Sequence, residues 1–313
     1  MLFLTVRPGD DPEQDFVQPF QIEGPGLRGR LVRLGPTVDA VLAGHDYPPP
    51  VAAMMAEALA LAAVLASGLK YDGIFTLQMQ GDGPVSYMVA DVTSGGDMRG
   101  YARVDAERLL TAARSTRGPV PQLFGSARLS FTVDQGPGTE RYQGITLLEG
   151  ATLSECAHAY FRQSEQLQTA IRLCASDMSQ TGESSRAAAL MIQRLPAPRE
   201  GEAEDAEDDW RRAVVLMSSA TSAEMLAPTL APADLLYRLF HEDGVRVFRP
   251  RALRHHCRCS RGRVERTLRA FPREDLMAML EEGVLRVTCE FCKSEYAFDA
   301  AGLEALIAPG APA

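Results

Sequence analysis

The feature that most constrains this chain is a set of four cysteines near its C-terminal end: Cys257, Cys259, Cys289 and Cys292. They read as C-x-C, then residues 260–288, then C-x-x-C. Two short thiol pairs separated by enough chain to fold back form a metal-site pattern, and four thiolates suit tetrahedral Zn²⁺ with Zn–S near ~2.3 Å. The second pair is the usual zinc knuckle, and the first is one residue shorter. In an extended strand residues i and i+2 point the same way, so a C-x-C can aim both sulfurs at one ion. It can also close on itself as a small disulfide. On the residues alone, a purely structural zinc site and a redox switch both stay open.

Size sharpens the point. A unit of ~55 residues buries too little surface to be robust without a staple. A metal bound here would therefore supply much of the unit's folding free energy, and removing it should unfold the unit. His255 and His256 stand next to the first pair as alternative ligands, but four thiols already complete a tetrahedral set. Cys156 and Cys174 have no partner at metal spacing and read as buried, inert thiols.

The 313 residues, 46% of them hydrophobic, suffice for one sizeable core and a smaller second domain. The net charge of −9 argues against nucleic acid and anionic membrane surfaces as partners. Much of that charge is local. Glu200, Glu202, Glu204, Asp205, Glu207, Asp208 and Asp209 occur with no basic residue among them, and the rest of the chain is nearly balanced. Met1 to Arg7 is apolar but too short for a signal peptide. Val51 to Leu69 is apolar but Ala-rich and interrupted by Glu57, which fits a buried helix better than a membrane span. The expectation is a cytoplasmic protein, and in that compartment a cysteine cluster points to metal or redox chemistry.

The chain in order predicts an α+β fold. Residues 1–14 are Pro/Gly/Asp-rich and expected to be poorly ordered. Phe16 to Leu34 reads as one or two strands, and Pro50 opens a helix that Gly68 closes. Ile74 to Val92, punctuated by Gly81-Asp82-Gly83-Pro84, reads as a hairpin or meander. More strands are expected at Leu129–Val133 and Tyr142–Leu148, and a helix at Leu153–Gln163. Ile171–Ala175 and Ala187–Gln193 look extended or buried. Strands and helices mix without regular βαβ alternation.

Three regions follow: an α+β core over 1–196, an acidic insert with a metastable helical linker over 197–250, and a small zinc-binding domain over 251–313. Pro196 and Pro198 mark the first boundary, and the acidic run reads as a solvated loop or disordered insert. Trp210–Ser219 and Ala233–Phe240 are short helical patterns broken by Pro228 and Pro232, marginal without tertiary support. The Gly81-Asp82-Gly83 loop lacks the lysine and the strand-to-helix context of a phosphate loop. Asp134, Glu140, Glu149 and the five histidines make no catalytic constellation, so no enzyme is expected. Cys289-x-x-Cys292 also lacks the βαβ context of a thiol oxidoreductase.

Several segments together resemble one family, the redox-regulated 33 kDa heat-shock chaperones of bacteria. The C-x-C…C-x-x-C signature is one. Leu236-Tyr237-Arg238-Leu239-Phe240-His241-Glu242 ahead of it is another. The rest are Ser67-Gly68-Leu69-Lys70, Leu77-Gln78 before Gly81-Asp82-Gly83-Pro84, Arg99-Gly100-Tyr101-Ala102, Tyr142-Gln143-Gly144-Ile145, and Tyr160-Phe161 with Ser164-Glu165-Gln166. The resemblance runs from about Phe16 to Leu306. It implies an ATP-independent holding chaperone that is inactive when reduced, with one Zn²⁺ per chain on Cys257, Cys259, Cys289 and Cys292. Oxidation is implied to form disulfides Cys257–Cys259 and Cys289–Cys292, release the metal and unfold the linker. Unfolding client proteins are the implied partners, with a homodimer likewise implied in the oxidised form. The alternative is a zinc-ribbon protein whose metal is structural and whose partner is nucleic acid or another protein.

Overall fold

The computed structural model describes residues 15–111, 117–136, 138–165, 167–176, 184–194 and 203–307. The expected N-terminal tail 1–14, the boundary prolines Pro196 and Pro198, and the acidic residues Glu200 and Glu202 lie outside these residues. The fold class is α+β, and the chain divides into two compact units, Met1–His255 and His256–Ala313.

The first unit opens with β1 (Phe16–Ile22) and β2 (Leu27–Leu34), an antiparallel pair joined at Gly26, whose φ is 62°. A helix not expected from the sequence follows, α1 (Pro36–Ala43). Its start is capped through space: the Asp15 carboxylate accepts from the Gly35 N–H at 2.6 Å and the Thr37 N–H at 2.7 Å. Next comes α2 (Pro49–Ala66), with prolines in the first turn where no donor is needed. The meander is β3 (Ile74–Gly81), β4 (Val85–Thr93) and β5 (Asp97–Val104). Short helices α3 (Ala106–Thr111) and α4 (Pro119–Phe124) lead to β6 (Ala127–Asp134) and β7 (Tyr142–Leu147). Helix α5 (Leu153–Tyr160) is capped by Thr152 and runs into a π turn, Phe161–Glu165. Strands β8 (Thr169–Ala175) and β9 (Ala187–Arg194) follow.

These strands make two sheets around α2. One has the order β8-β9-β2-β1 and the other β5-β4-β3-β6-β7. Helix α2 touches strands of both, which is why a helix apolar on nearly every side, Glu57 apart, is stable here: almost none of it needs to meet water. Gly100 on β5 permits the close approach, since a Cβ there would stand 2.7 Å from the Met55 sulfur.

The other face of the first sheet is covered by α6 (Ala203–Ser218), α7 (Ser222–Leu226) and α8 (Pro232–Phe240). Along β1 and β2, Phe20, Ile22, Leu27 and Leu31 point to this side, against Met217, Met225, Leu236 and Phe240. Phe20 lies across Gly29 on the neighbouring strand and stacks on Phe240 with centroids 5.8 Å apart. The acidic run is not a loop over its described part: Asp208 and Asp209 lie in α6. Carboxylates early in a helix suit its dipole, and here they also have cations. Glu207 pairs with Arg194 and Arg211, and Asp209 with Arg212.

A buried cation ties these helices to the sheet. Arg33, 8% exposed, donates from Nε to the Met225 carbonyl (2.8 Å), from Nη1 to Leu230 (2.5 Å) and from Nη2 to Glu224 (3.0 Å). Three short strands end the unit: β10 (Val245–Val247), β11 (Arg251–Ala252) and β12 (Arg254–His255). The first two pair with β1, and β12 runs parallel to β5. Residues 251–255 fall in the first compact unit.

The second unit holds α9 (Arg261–Leu268), α10 (Arg273–Ala278), the hairpin of β13 (Val284–Thr288) and β14 (Glu295–Asp299), and α11 (Ala300–Ile307). Its described core is small: Leu268, Leu276, Leu285, Phe298, Leu303 and Leu306.

Candidate metal centre

Two segments of the second unit carry the thiols. Cys257 and Cys259 lie in the irregular segment just before α9, and Ser260 then caps that helix by accepting from the Arg263 N–H. Cys289 and Cys292 lie in the turn that joins β13 to β14. That turn is a tight loop in which the Cys289 N–H donates to Ser294 O (2.9 Å) and the Lys293 N–H donates to Cys289 O (2.9 Å). To close it, Lys293 takes a left-handed conformation, φ 57°.

The four sulfurs all fall within 4.8 Å of one another. Cys257 and Cys289 are 3.7 Å apart and Cys259 and Cys292 3.4 Å. Four sulfurs at ~2.3 Å from a central ion would be separated by ~3.8 Å in a regular tetrahedron, so the spacing fits a four-thiolate metal site. It is far beyond the ~2.05 Å of a disulfide, and all six cysteines are free thiols. Among the described residues no other His, Cys, Asp or Glu joins the group, so His256 adds no ligand.

Each sulfur has hydrogen-bond donors placed by the fold. Backbone amides serve three of them: Cys259 N–H for Cys257, Phe291 and Cys292 N–H for Cys289, and Ser294 N–H for Cys292. Ser294 Oγ is also 3.2 Å from Cys292 Sγ. Cys259 is served by a side chain, the Tyr296 hydroxyl, which donates to its sulfur at 3.1 Å. Burial pushes the thiols of Cys257, Cys259 and Cys289 up. Burial opposes ionisation of Cys292 too, but hydrogen bonds with Ser294 and with the neighbouring Cys259 and Cys257 together outweigh it and bring that thiol down to about 6. All four remain half-buried, so small solutes reach them.

One basic residue close by in sequence, Arg261, is already engaged. Arg261 hydrogen-bonds Glu265 (3.1 Å) and the Ala297 carbonyl (3.1 Å), with its guanidinium 4.3 Å from the centre of the Phe298 ring. It braces α9 on the hairpin. Cys156 and Cys174 are buried in the first unit, 0% and 5% exposed, and burial pushes both thiols up to about 12. Neither carries reactive thiolate at neutral pH.

Tyr296, Ser294 and Arg33 were not singled out by sequence. The one signal available for Tyr296 is that its strand leaves the second cysteine pair directly, which returns its side chain to the site.

Fold and site together define a class: a two-unit α+β protein whose small C-terminal unit gathers four thiols able to hold a metal ion. The model of the family described as Hsp33 protein matches residues 15–299. The "33 kDa chaperonin" of Caulobacter vibrioides is 41% identical, over 95% of this chain and 99% of its own length. That of Nitrosococcus oceani is 39% identical, over 94% of each chain. The crystal structure of the 33 kDa chaperonin of Thermotoga maritima superposes with a TM-score of 0.79, covering 94% of this chain and 98% of that one at 22% identity. The chain belongs to the Hsp33 family.

Proposed function

We propose that the protein is an ATP-independent, redox-regulated holding chaperone. When reduced, Cys257, Cys259, Cys289 and Cys292 hold one Zn²⁺; when oxidised, the protein binds unfolding polypeptides and keeps them from aggregating. The observation that carries this reading is the convergence of four accessible thiols on one point in a unit with a very small core. Family membership supports it.

A bound zinc ion would keep the sulfurs as thiolates and tie the segment before α9 to the β13–β14 turn. The residues supply the rest. A two-electron oxidant such as a peroxide takes two electrons from a pair of cysteine thiolates, which are then joined by one S–S bond. One thiolate attacks a peroxide oxygen and the O–O bond breaks, giving a sulfenic acid and hydroxide, which is protonated to water. Its partner thiolate then displaces hydroxide, protonated to a second water, and the disulfide forms. Two equivalents convert Cys257–Cys259 and Cys289–Cys292. The first closes a very small ring, whose strain favours a readily reversible bond. With the thiolates consumed, the second unit keeps only its small core and unfolds.

Functionally we divide the chain into a client-binding core (1–196), a metastable linker (197–250) and a switch (251–313). Beyond α6 the linker consists of the short helices α7 and α8, separated by a stretch that holds Pro228, the kind of segment that opens first. Its release uncovers Phe20, Ile22, Leu27 and Leu31 on the sheet and Leu235, Leu236, Leu239 and Phe240 on α8, apolar surface of the kind that holds unfolded chains. We place the protein in the cytoplasm and infer an oxidised homodimer. The net charge of −9 favours protein clients over nucleic acid. The test is light scattering from a thermally unfolding client without ATP. The oxidised protein should suppress it and the reduced protein should not. Equal activity in both states would remove the cysteines as the switch.

A further inference from the structure

We propose that Tyr296 is a positioning residue of the thiol switch. Through its hydrogen bond to Cys259 it sets how readily that sulfur reacts and leaves the metal. The inference rests on the metal-thiolate reading above. It begins from one contact, in which a side chain outside both cysteine pairs reaches a sulfur of the first. For Cys259 the direct donor is the Tyr296 hydroxyl at 3.1 Å. One sulfur of the C-x-C pair is thus under the control of a replaceable group.

The geometry suits a fixed donor. Tyr296 sits on β14 opposite Val287 of β13, and its ring packs against the small core. Strand register and ring packing hold the hydroxyl in place, independently of the segment that bears Cys259. The bond therefore bridges the two halves of the site, from the strand after the second pair to a sulfur of the first.

Its chemical effect has a definite sign. A hydrogen bond into a sulfur lone pair withdraws electron density from it. The sulfur then attacks an oxidant more slowly, and outer-shell partners of this kind typically contribute ten- to a hundredfold in metal affinity. Tyr296 thus acts as a brake, so that the switch ignores low oxidant levels. In the peroxide step written above the electron pair comes from a cysteine sulfur, and on Cys259 the Tyr296 hydroxyl competes for the same density.

The test uses the full-length reduced chain loaded with Co²⁺ as a spectroscopic stand-in, and with Zn²⁺ for kinetics. Tyr296→Phe keeps the ring in the core and removes the donor. Its sulfur-to-cobalt charge-transfer band should move to lower energy, its metal affinity should fall at least about tenfold, and peroxide should release its zinc several-fold faster than from the wild type. Difluorotyrosine at the same position is a stronger donor and should move band and rate the opposite way. A merely structural role would loosen the metal without displacing the band, or displace it in the same direction for both replacements; either result overturns the inference. Failure of the wild type to bind metal would overturn the metal-thiolate reading itself. Normal wild-type binding with an unchanged band in the Phe variant would overturn the role of Tyr296 alone.

Discussion

Arg33 is where the structure makes its most quantitative claim about what keeps the linker down. Its guanidinium is buried in the first unit and donates to three backbone carbonyls, of Glu224, Met225 and Leu230, all in the α7 region. A hydrogen bond to a charged group contributes ~1.5–3 kcal/mol, so three give roughly 4–9 kcal/mol. Against this stands the cost of burying the cation. Burial lowers Arg33 from 12.5 to about 10, which at ~1.4 kcal/mol per pK unit costs roughly 3 kcal/mol. The difference, roughly 1–6 kcal/mol, centres on a clamp of about 3 kcal/mol, near a hundredfold in the open population of α7 and its flanks. Arg33→Leu removes the donors and leaves carbonyls of the α7 region without them. Amide hydrogen exchange of the reduced, zinc-loaded variant should accelerate about a hundredfold over 222–230, while the second unit keeps its protection and its metal. The same variant should show client binding without oxidant. Exchange over 222–230 within about threefold of wild type would refute the clamp.

Two further predictions concern single residues. Burial alone raises Glu57, in the middle of α2, to about 7. A carboxyl whose folded pKa lies above its unfolded value of 4.5 binds its proton more tightly when folded. Its penalty is absent below about 4.5, grows as pH rises towards 7, and is complete above. Glu57→Gln should therefore raise the denaturant midpoint at pH 8 by an amount worth about 3 kcal/mol and leave it nearly unchanged at pH 4.5; an equal gain at both would contradict the assignment. In the second unit, Lys293 holds a left-handed φ of 57°, a conformation unfavourable by ~1–2 kcal/mol for side-chain residues and worst for β-branched ones. Lys293→Val should weaken zinc binding in a chelator titration about tenfold, whereas Lys293→Gly should retain it; equal loss in both would mean that the lysine side chain, not the backbone, matters.

What could be read in the sequence follows from how local each signal is. The cysteine spacing is local, and the structure brings all four sulfurs together. The composition of α2 is local too, and its prolines and alanines mark a buried helix correctly. Strand alternation and glycine punctuation located the β3–β4 hairpin and β1–β2. What escaped depends on partners far along the chain. Helix α1 is started by Asp15, twenty residues upstream. The acidic run read as a loop because what pins it down includes a cation from a preceding strand, Arg194, besides the local Arg211 and Arg212. Strands β10 to β12 are two or three residues long and exist only because β1 and β5 offer free edges. Arg33 looks like an ordinary strand arginine until the carbonyls of residues 224–230 are placed over it. Tyr296 needs the β13–β14 register before its hydroxyl can be aimed.

The central claim is that the four thiols are a switch and not only a scaffold. It is tested most directly by titrating the reduced, zinc-loaded chain with peroxide while following free zinc, remaining thiols and client protection in the same samples. The account predicts about one zinc released per chain as four thiols disappear, with protection rising in step and Cys156 and Cys174 still free. Zinc retained after Cys257, Cys259, Cys289 and Cys292 have reacted, or full protection before any zinc is released, would contradict it.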